Sequence, residues 1–266
     1  MYVNNKEKID NIKLNKDNFY IVVDFDRTLS KGDSESTWGT FARAKIFDEE
    51  YNRLRAEQYA KYRPIEVDPT IDPKEKEKYM DLWWREHIEL FDRFGLKESD
   101  IEICARKGGI NLRDGAIKFL KKMNEYGIPV VILSAGIRNI IKQFLINNNV
   151  LFDNIIIFSN MLSFREDGLY QGLDGETINA SNKTIEFLLD KDKKRIEDRP
   201  YAIMYGDGLA DLSMVPEHLW DRTIKVGFLE AAIEESLDIY NKMFDIVLVN
   251  NGSFDEVNNY LNIYNL

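Results

Sequence analysis

Asp24 and Asp26 flank Phe25 directly beyond the apolar run Phe19 to Val23, and Thr28 follows two residues later. Such a run reads as a buried strand, so two carboxylates and a hydroxyl are delivered at its C-terminal end. That rim is where open α/β sheets bind ligands. Three further places offer polar groups in similar settings: Ser134-Ala135-Gly136 after Val130 to Leu133, Asp207 and Asp211 after Tyr201 to Tyr205, and Lys183 at a predicted helix start. Two carboxylates 4 Å apart repel by roughly 1 kcal/mol in bulk water and roughly 4 kcal/mol at an effective dielectric of 20. Clustered acids therefore either take up protons or bind a cation. An oxygen-only set without His or Cys suits a hard ion, and Mg²⁺ is the usual choice where phosphate is also bound. The Ser134 hydroxyl, the free N–H groups of the Ala135-Gly136 turn and the Lys183 ammonium supply what a phosphoryl group needs.

The elements that must carry these groups alternate. The spacing predicts a helix after Asp114 with Ile117, Leu120 and Met123 on one face, then the strand Val130 to Leu133. A helix with Ile137, Ile140, Ile141, Phe144 and Leu145 on one side follows at once. A strand at Ile155 to Phe158 leads into a Gly-rich stretch that can hold a hairpin. Strands at Tyr201 to Tyr205, Thr223 to Val226 and Asp245 to Val249 complete the pattern, and residues 1–18 read as a partly ordered lead-in. Repeated strand and helix mean an α/β doubly wound parallel sheet.

Residues 34–108 interrupt that alternation. Helix is expected over Trp38 to Tyr62 and ends at Pro64; Pro64, Pro69 and Pro73 punctuate an extended connection, and a helix starts at Pro73 behind Asp72. The expected division is a catalytic core of residues 1–33 and 109–266 with a helical cap, residues 34–108, that can close over a ligand; the alternative is extra helices packed on one sheet face. A net charge of −10 and a pI near 4.9 argue against a nucleic-acid polymer as partner. Cys104 is the one cysteine, which excludes an intrachain disulfide. The polar N-terminus and the lack of a long apolar run argue against a membrane partner and point to a cytoplasmic protein.

DFDRTLS, the SAG behind an apolar strand, Asn182-Lys183 and GDGLADLSM together resemble motifs one to four of the haloacid dehalogenase (HAD) superfamily phosphohydrolases, in the right order. Within that superfamily YRPIEVDP, EKEKYMDLWW, VILSAGI, SNMLSF, KVGFLE and DIVLV are similar to the cytosolic pyrimidine 5′-nucleotidase family, which includes a 7-methylguanosine-monophosphate nucleotidase. The SKGDSESTWG stretch departs from that pattern. The resemblance implies a HAD-like core and a phosphomonoesterase in which Asp24 attacks phosphorus and Asp26 serves as acid and base. It further implies Mg²⁺ held by Asp24, the Asp26 backbone, Asp207 and Asp211, and phosphate held by Lys183, Ser134, Ala135 and Gly136, with Thr28 ordering the first loop. Glu66 matches a position that contacts a nucleobase. Trp84 sits where an aromatic can stack on that base, or else Trp83 and Trp84 pack the helices; Trp38 borders the site and His87 is a surface or packing residue.

The implied substrate is a small phosphorylated metabolite, a nucleoside 5′-monophosphate first. Phosphoserine, a sugar phosphate, transfer to a nucleoside and a binding module without turnover remain the alternatives.

Overall fold

The computed structural model describes residues 1–68, 70–179 and 182–266. Its strands are β1 (Tyr2–Val3), β2 (Phe19–Val23), β3 (Val130–Ile137), β4 (Ile155–Phe164), β5 (Tyr170–Asp174), β6 (Tyr201–Gly206), β7 (Thr223–Leu229) and β8 (Ile246–Val249). They form one sheet in the order β1-β8-β7-β6-β2-β3-β4-β5. The six central strands run parallel, with β1 and β5 antiparallel at the two edges. The expected lead-in is thus part of the sheet, because Tyr2 and Val3 pair with Val247 and Ile246. β2 lies between β6 and β3, in the middle of the sheet, so its end falls at the centre of the rim.

All five residues of β2 are buried, and they alternate between two cores. Phe19, Ile21 and Val23 face α6 (Ala116–Glu125), α7 (Arg138–Asn147) and α10 (Phe254–Tyr260), whereas Tyr20 and Val22 face the side that holds α9 (Ile233–Met243). Helices on both faces explain why these strands read as unbroken apolar runs. In α6 the buried set is Ala116, Phe119, Leu120 and Met123, while Ile117 stays exposed. The start of that helix is set by Gly115, whose φ of 82° suits glycine, and not by an Asp114 side-chain cap.

The remaining helices are α1 (Lys6–Asn11), α2 (Thr40–Arg43), α3 (Glu49–Val67), α4 (Pro73–Arg93), α5 (Glu98–Lys107) and α8 (Asp190–Lys193). The helix expected over Trp38 to Tyr62 is split, because Lys45 takes a φ of 56° and Asp48 restarts the helix by accepting from the N–H groups of Glu50 and Tyr51. Pro64 does not end α3. It forgoes one bond, but Asp68 N–H donates to Pro64 O at 3.1 Å, and fully buried Tyr62 anchors the last turns through its hydroxyl on Glu86 at 2.7 Å. Pro73 opens α4 as expected; Pro69 lies outside the described residues.

The segment holding α2 to α5 leaves and returns side by side. Arg113 N donates to Leu29 O, Lys31 N to Asn111 O and Glu35 N to Gly109 O, and Ser34 Oγ accepts from Asn111 N at 2.9 Å. Ser30 and Leu112 form an antiparallel bridge inside this neck.

His87, on α4, is buried against Trp38 and Phe91, with Tyr51 Oη 3.3 Å from its Nε2. Burial, reinforced by Arg55, pushes its imidazole down to about 3. The unfolded chain binds that proton near pH 6.5, so it takes up more protons than the folded chain as pH falls. Stability should therefore drop by up to about 1.4 kcal/mol per pH unit between roughly pH 6.5 and pH 3 on account of this residue. Urea unfolding at stepped pH should show that part of the slope vanish in His87→Gln, which keeps an acceptor for Tyr51; an unchanged slope would refute it.

Candidate active site

After β2 the chain makes one wide turn over Phe25–Leu29, in which Leu29 N donates to Asp24 O and Ser30 N to Phe25 O. Arg27 takes a left-handed φ of 63°, a costly position for a side chain of this size. The turn is held from behind by Arg113, which is 1% exposed. Its Nε donates to Thr28 O at 2.9 Å and its Nη2 to Arg27 O at 2.6 Å, while Nη1 reaches Glu230 Oε1 at 2.6 Å and Gly252 O at 3.1 Å. The guanidinium also lies over the Phe228 ring, 4.0 Å from its centroid.

Two carboxylates close on one ammonium, and two more stand beside them. Lys183 Nζ lies 2.8 Å from Asp24 Oδ1 and 2.5 Å from Asp211 Oδ1, with all three side chains buried. The other Asp211 oxygen accepts from the N–H groups of Asp207 and Gly208, both at 2.9 Å. Asp211 therefore shapes the turn that presents Asp207, whose side chain faces the Thr28 hydroxyl at 3.5 Å. Among the described residues Asp24, Asp207 and Asp211 can bring one oxygen each within 4.8 Å of the others. Burial pushes the Asp24 carboxyl up to about 7; Lys183 pulls it down, and Asp211 adds to the rise. Asp207 is raised well above the usual range by burial and then by Asp211 and Asp24. For Lys183 burial opposes the charge, but Asp211 and Asp24 outweigh it and keep the ammonium protonated.

Lys183 comes from a loop and not from a helix start. Asn182 Oδ1 accepts from Asn179 N and its Nδ2 donates to Thr177 O, a side-chain competition with the backbone that allows only a single tight turn at Ile185–Phe187. The loop is tied to β4 by Asn160, which exchanges bonds with the backbone of Ile178 at 2.7 and 2.8 Å.

Ser134, Ala135 and Gly136 also differ from expectation. β3 runs on through them to Ile137 with a shift in register, and α7 starts only at Arg138. Ser134 Oγ accepts from Gly136 N at 3.0 Å; Ala135 O accepts from Trp38 Nε1 and Asn160 Nδ2, and Gly136 O from Ser159 Oγ. Asp26 lies beside them, with Oδ1 accepting from Thr37 N and Oδ2 from Thr37 Oγ1, each at 2.9 Å. Burial raises its carboxyl to about 6 against these two bonds. A Cβ on Gly136 would sit 2.3 Å from Thr37 Oγ1 and 2.9 Å from Asp26 Oδ2, so this close packing requires glycine.

Thr37, Arg113, Ser159 and Asn160 escape the motif reading. The rim rule applied to β4 would have found the last two; Arg113, in the polar NLRDG stretch, carried no such signal. The aromatic residues form a continuous stack: Tyr62 on Trp83 at 5.7 Å, Trp83 on Trp84 at 5.9 Å and Trp84 on Trp38 at 4.3 Å. Trp84 thus has an indole on either side, and Trp38 brings the stack to the strand rim. Glu66, at the end of α3, is paired with Arg63 on the same helix.

Among the described residues no helix is long and apolar enough to cross a membrane. The family model for pyrimidine 5′-nucleotidase (UMPH-1) matches residues 25–264. A 7-methylguanosine phosphate-specific 5′-nucleotidase of Drosophila melanogaster is 34% identical over 247 residues, covering 88% of this chain and 76% of that protein. The Homo sapiens protein of the same description is 31% identical over 254 residues, covering 92% and 84%. The crystal structure of cytosolic 5′-nucleotidase IIIB bound to cytidine superposes with a TM-score of 0.85 at 30% identity, over 97% of this chain and 90% of that one. A substrate-bound phosphoserine phosphatase, 19% identical with a TM-score of 0.60, shares the fold. The chain belongs to the pyrimidine 5′-nucleotidase (UMPH-1) family and is a phosphoric monoester hydrolase of the HAD fold.

Proposed function

We propose that this chain is a Mg²⁺-dependent 5′-nucleotidase that hydrolyses nucleoside 5′-monophosphates through an aspartyl-phosphate on Asp24. The observation that carries the reading is the cluster itself: buried Asp24 and Asp211 grip the ammonium of Lys183, and half-buried Asp26 and Asp207 stand beside them. That excess of negative charge, built from oxygens alone, fits a hard divalent cation. Asp24 and Asp207, with the Asp26 carbonyl and with Asp211 behind them, would hold Mg²⁺, which when bound offsets charge on the phosphoryl oxygens.

An Asp24 oxygen attacks phosphorus, forming the acyl-phosphate bond as the bond to the ester oxygen breaks. Asp26 gives its proton to the departing alkoxide. It then takes a proton from the water that attacks the acyl-phosphate, releasing inorganic phosphate and free Asp24. Lys183 keeps Asp24 oriented and pairs with the phosphoryl charge, and Ser134 with the backbone N–H groups beside it binds the phosphoryl oxygens. Residues 34–108 act as the cap. The base sits against the aromatic stack near Trp84 with Glu66 at its edge; the Trp38 bond to Ala135 O supports this placement by joining the stack to the phosphate site.

Phosphate release from nucleoside 5′-monophosphates, phosphoserine and sugar phosphates, with Mg²⁺ and with EDTA, tests the reading. Nucleotides should be turned over best, and chelation should lower activity at least about 100-fold. Turnover indifferent to EDTA removes the metal from the reading, and a clear preference for phosphoserine or a sugar phosphate removes the nucleotide.

A further inference from the structure

Thr37 is the side chain that holds Asp26, and it lies outside the four motifs. It is fully buried and reaches two other segments at once, the turn after β2 and the end of β3. Its N–H and its hydroxyl each bond one Asp26 oxygen at 2.9 Å, and its Oγ1 accepts from Ile137 N at 3.0 Å, at the end of β3. With the Ile137 N–H aimed at Oγ1, the threonine hydrogen is directed to Asp26 Oδ2. The backbone at Thr37 is itself fastened, because Thr40 Oγ1 donates to Thr37 O at 2.7 Å and the next residue, Trp38, donates to Ala135 O. Gly136 leaves room for this contact and for nothing larger. The Asp26 carboxylate therefore has its plane and tilt set by one residue, which bonds to both oxygens and is braced from β3.

We infer that Thr37 is a positioning residue for the proton-transfer step, holding Asp26 where it meets the leaving oxygen. This rests on the proposed role of Asp26 as general acid. The step is a single transfer: the Asp26 O–H bond breaks, a new O–H bond forms on the ester oxygen, and the electron pair of the broken P–O bond ends on that oxygen. An alkoxide leaving group such as a ribose 5′-oxygen needs this proton. A nitrophenolate is a stable anion and leaves without it. Misplacing Asp26 must therefore penalise the first kind of substrate and spare the second.

The test compares Thr37→Val, which keeps the backbone N–H but loses the hydroxyl, with Thr37→Ser, which retains it. Values of kcat/KM are measured with Mg²⁺ on a nucleoside 5′-monophosphate and on p-nitrophenyl phosphate. This ratio reports events up to departure of the leaving group, so slow hydrolysis of the acyl-phosphate does not enter. General acid catalysis is worth roughly 10²–10⁴-fold, and loss of one of the two bonds that orient the acid should remove about 10- to 100-fold of it on the nucleotide. On p-nitrophenyl phosphate the loss should stay within about 3-fold, and Thr37→Ser should recover nucleotide turnover to within about 3-fold of wild type. Retained p-nitrophenyl phosphate turnover also certifies that Thr37→Val is folded. An equal loss on both substrates, no loss on either, or a serine variant no better than valine overturns the inference. A wild-type protein that releases phosphate from neither substrate overturns the phosphatase reading beneath it.

Discussion

Asp24→Asn should abolish phosphate release while leaving the fold intact, and should make the metal-free protein more resistant to heat. The amide cannot form the acyl-phosphate, so kcat should fall on the order of 10⁴-fold or more. Stability moves the other way for an electrostatic reason. Asp24 is buried beside Asp207 and Asp211, and burial, with Asp211 adding to it against the pull of Lys183, already lifts its carboxyl to about 7. Replacing it removes one of the repelling charges, while Lys183 keeps Asp211 at 2.5 Å. Malachite-green phosphate detection and thermal melts in EDTA check the two halves. Turnover above a tenth of wild type would sink the nucleophile assignment, and a lower melting temperature in EDTA would sink the account of the charge cluster.

Arg113→Ala should be among the most destabilising single changes outside the apolar core. It strips four hydrogen bonds from a side chain with no exposure and leaves Glu230, 14% exposed, without its ion-pair partner. Breaking a buried pair by removing one member costs about 3–5 kcal/mol. The carbonyls of Arg27 and Thr28 lose their anchor as well, so the wide turn that carries Asp24 and Asp26 should loosen and activity should fall with stability. Lysine keeps the charge but cannot fork between four acceptors, so Arg113→Lys should fall between wild type and alanine. Urea unfolding with parallel activity measurements checks this; a stability loss below about 1 kcal/mol for alanine would show that the clamp is dispensable.

Legibility in the sequence followed how local each feature is. β2, β3, β6 and β8 could be read because a strand buried on both faces must be an unbroken apolar run. The acids at their ends could be read because a strand end on a parallel sheet has one destination. Two residues of β1 carry no such signal, since an edge strand is specified by its partner β8. Pro64 misled because its cost is local while the Tyr62 anchoring that outweighs it comes from α4. Asp24, Asp26, Asp207 and Asp211 are legible by type and spacing and Lys183 only through the motif resemblance, and the structure brings them together. Thr37 and Arg113 were missed for a shared reason: an ordinary threonine and an ordinary arginine acquire their importance only when segments about a hundred residues apart meet, at Ile137 for one and at Glu230 for the other.

The neck at Leu29–Glu35 and Gly109–Arg113 has a bearing on chain statistics. Because its two sides are already bonded to each other, the excursion between them behaves as a closed loop. The entropy of closing such a loop grows only with the logarithm of its length, by about 0.6 kcal/mol for each doubling. The sheet is therefore nearly indifferent to how many residues the excursion contains. A lineage could lengthen, shorten or exchange these helices, and with them whatever they contact, while Asp24 and Asp26 stayed in register on the strand that enters the neck.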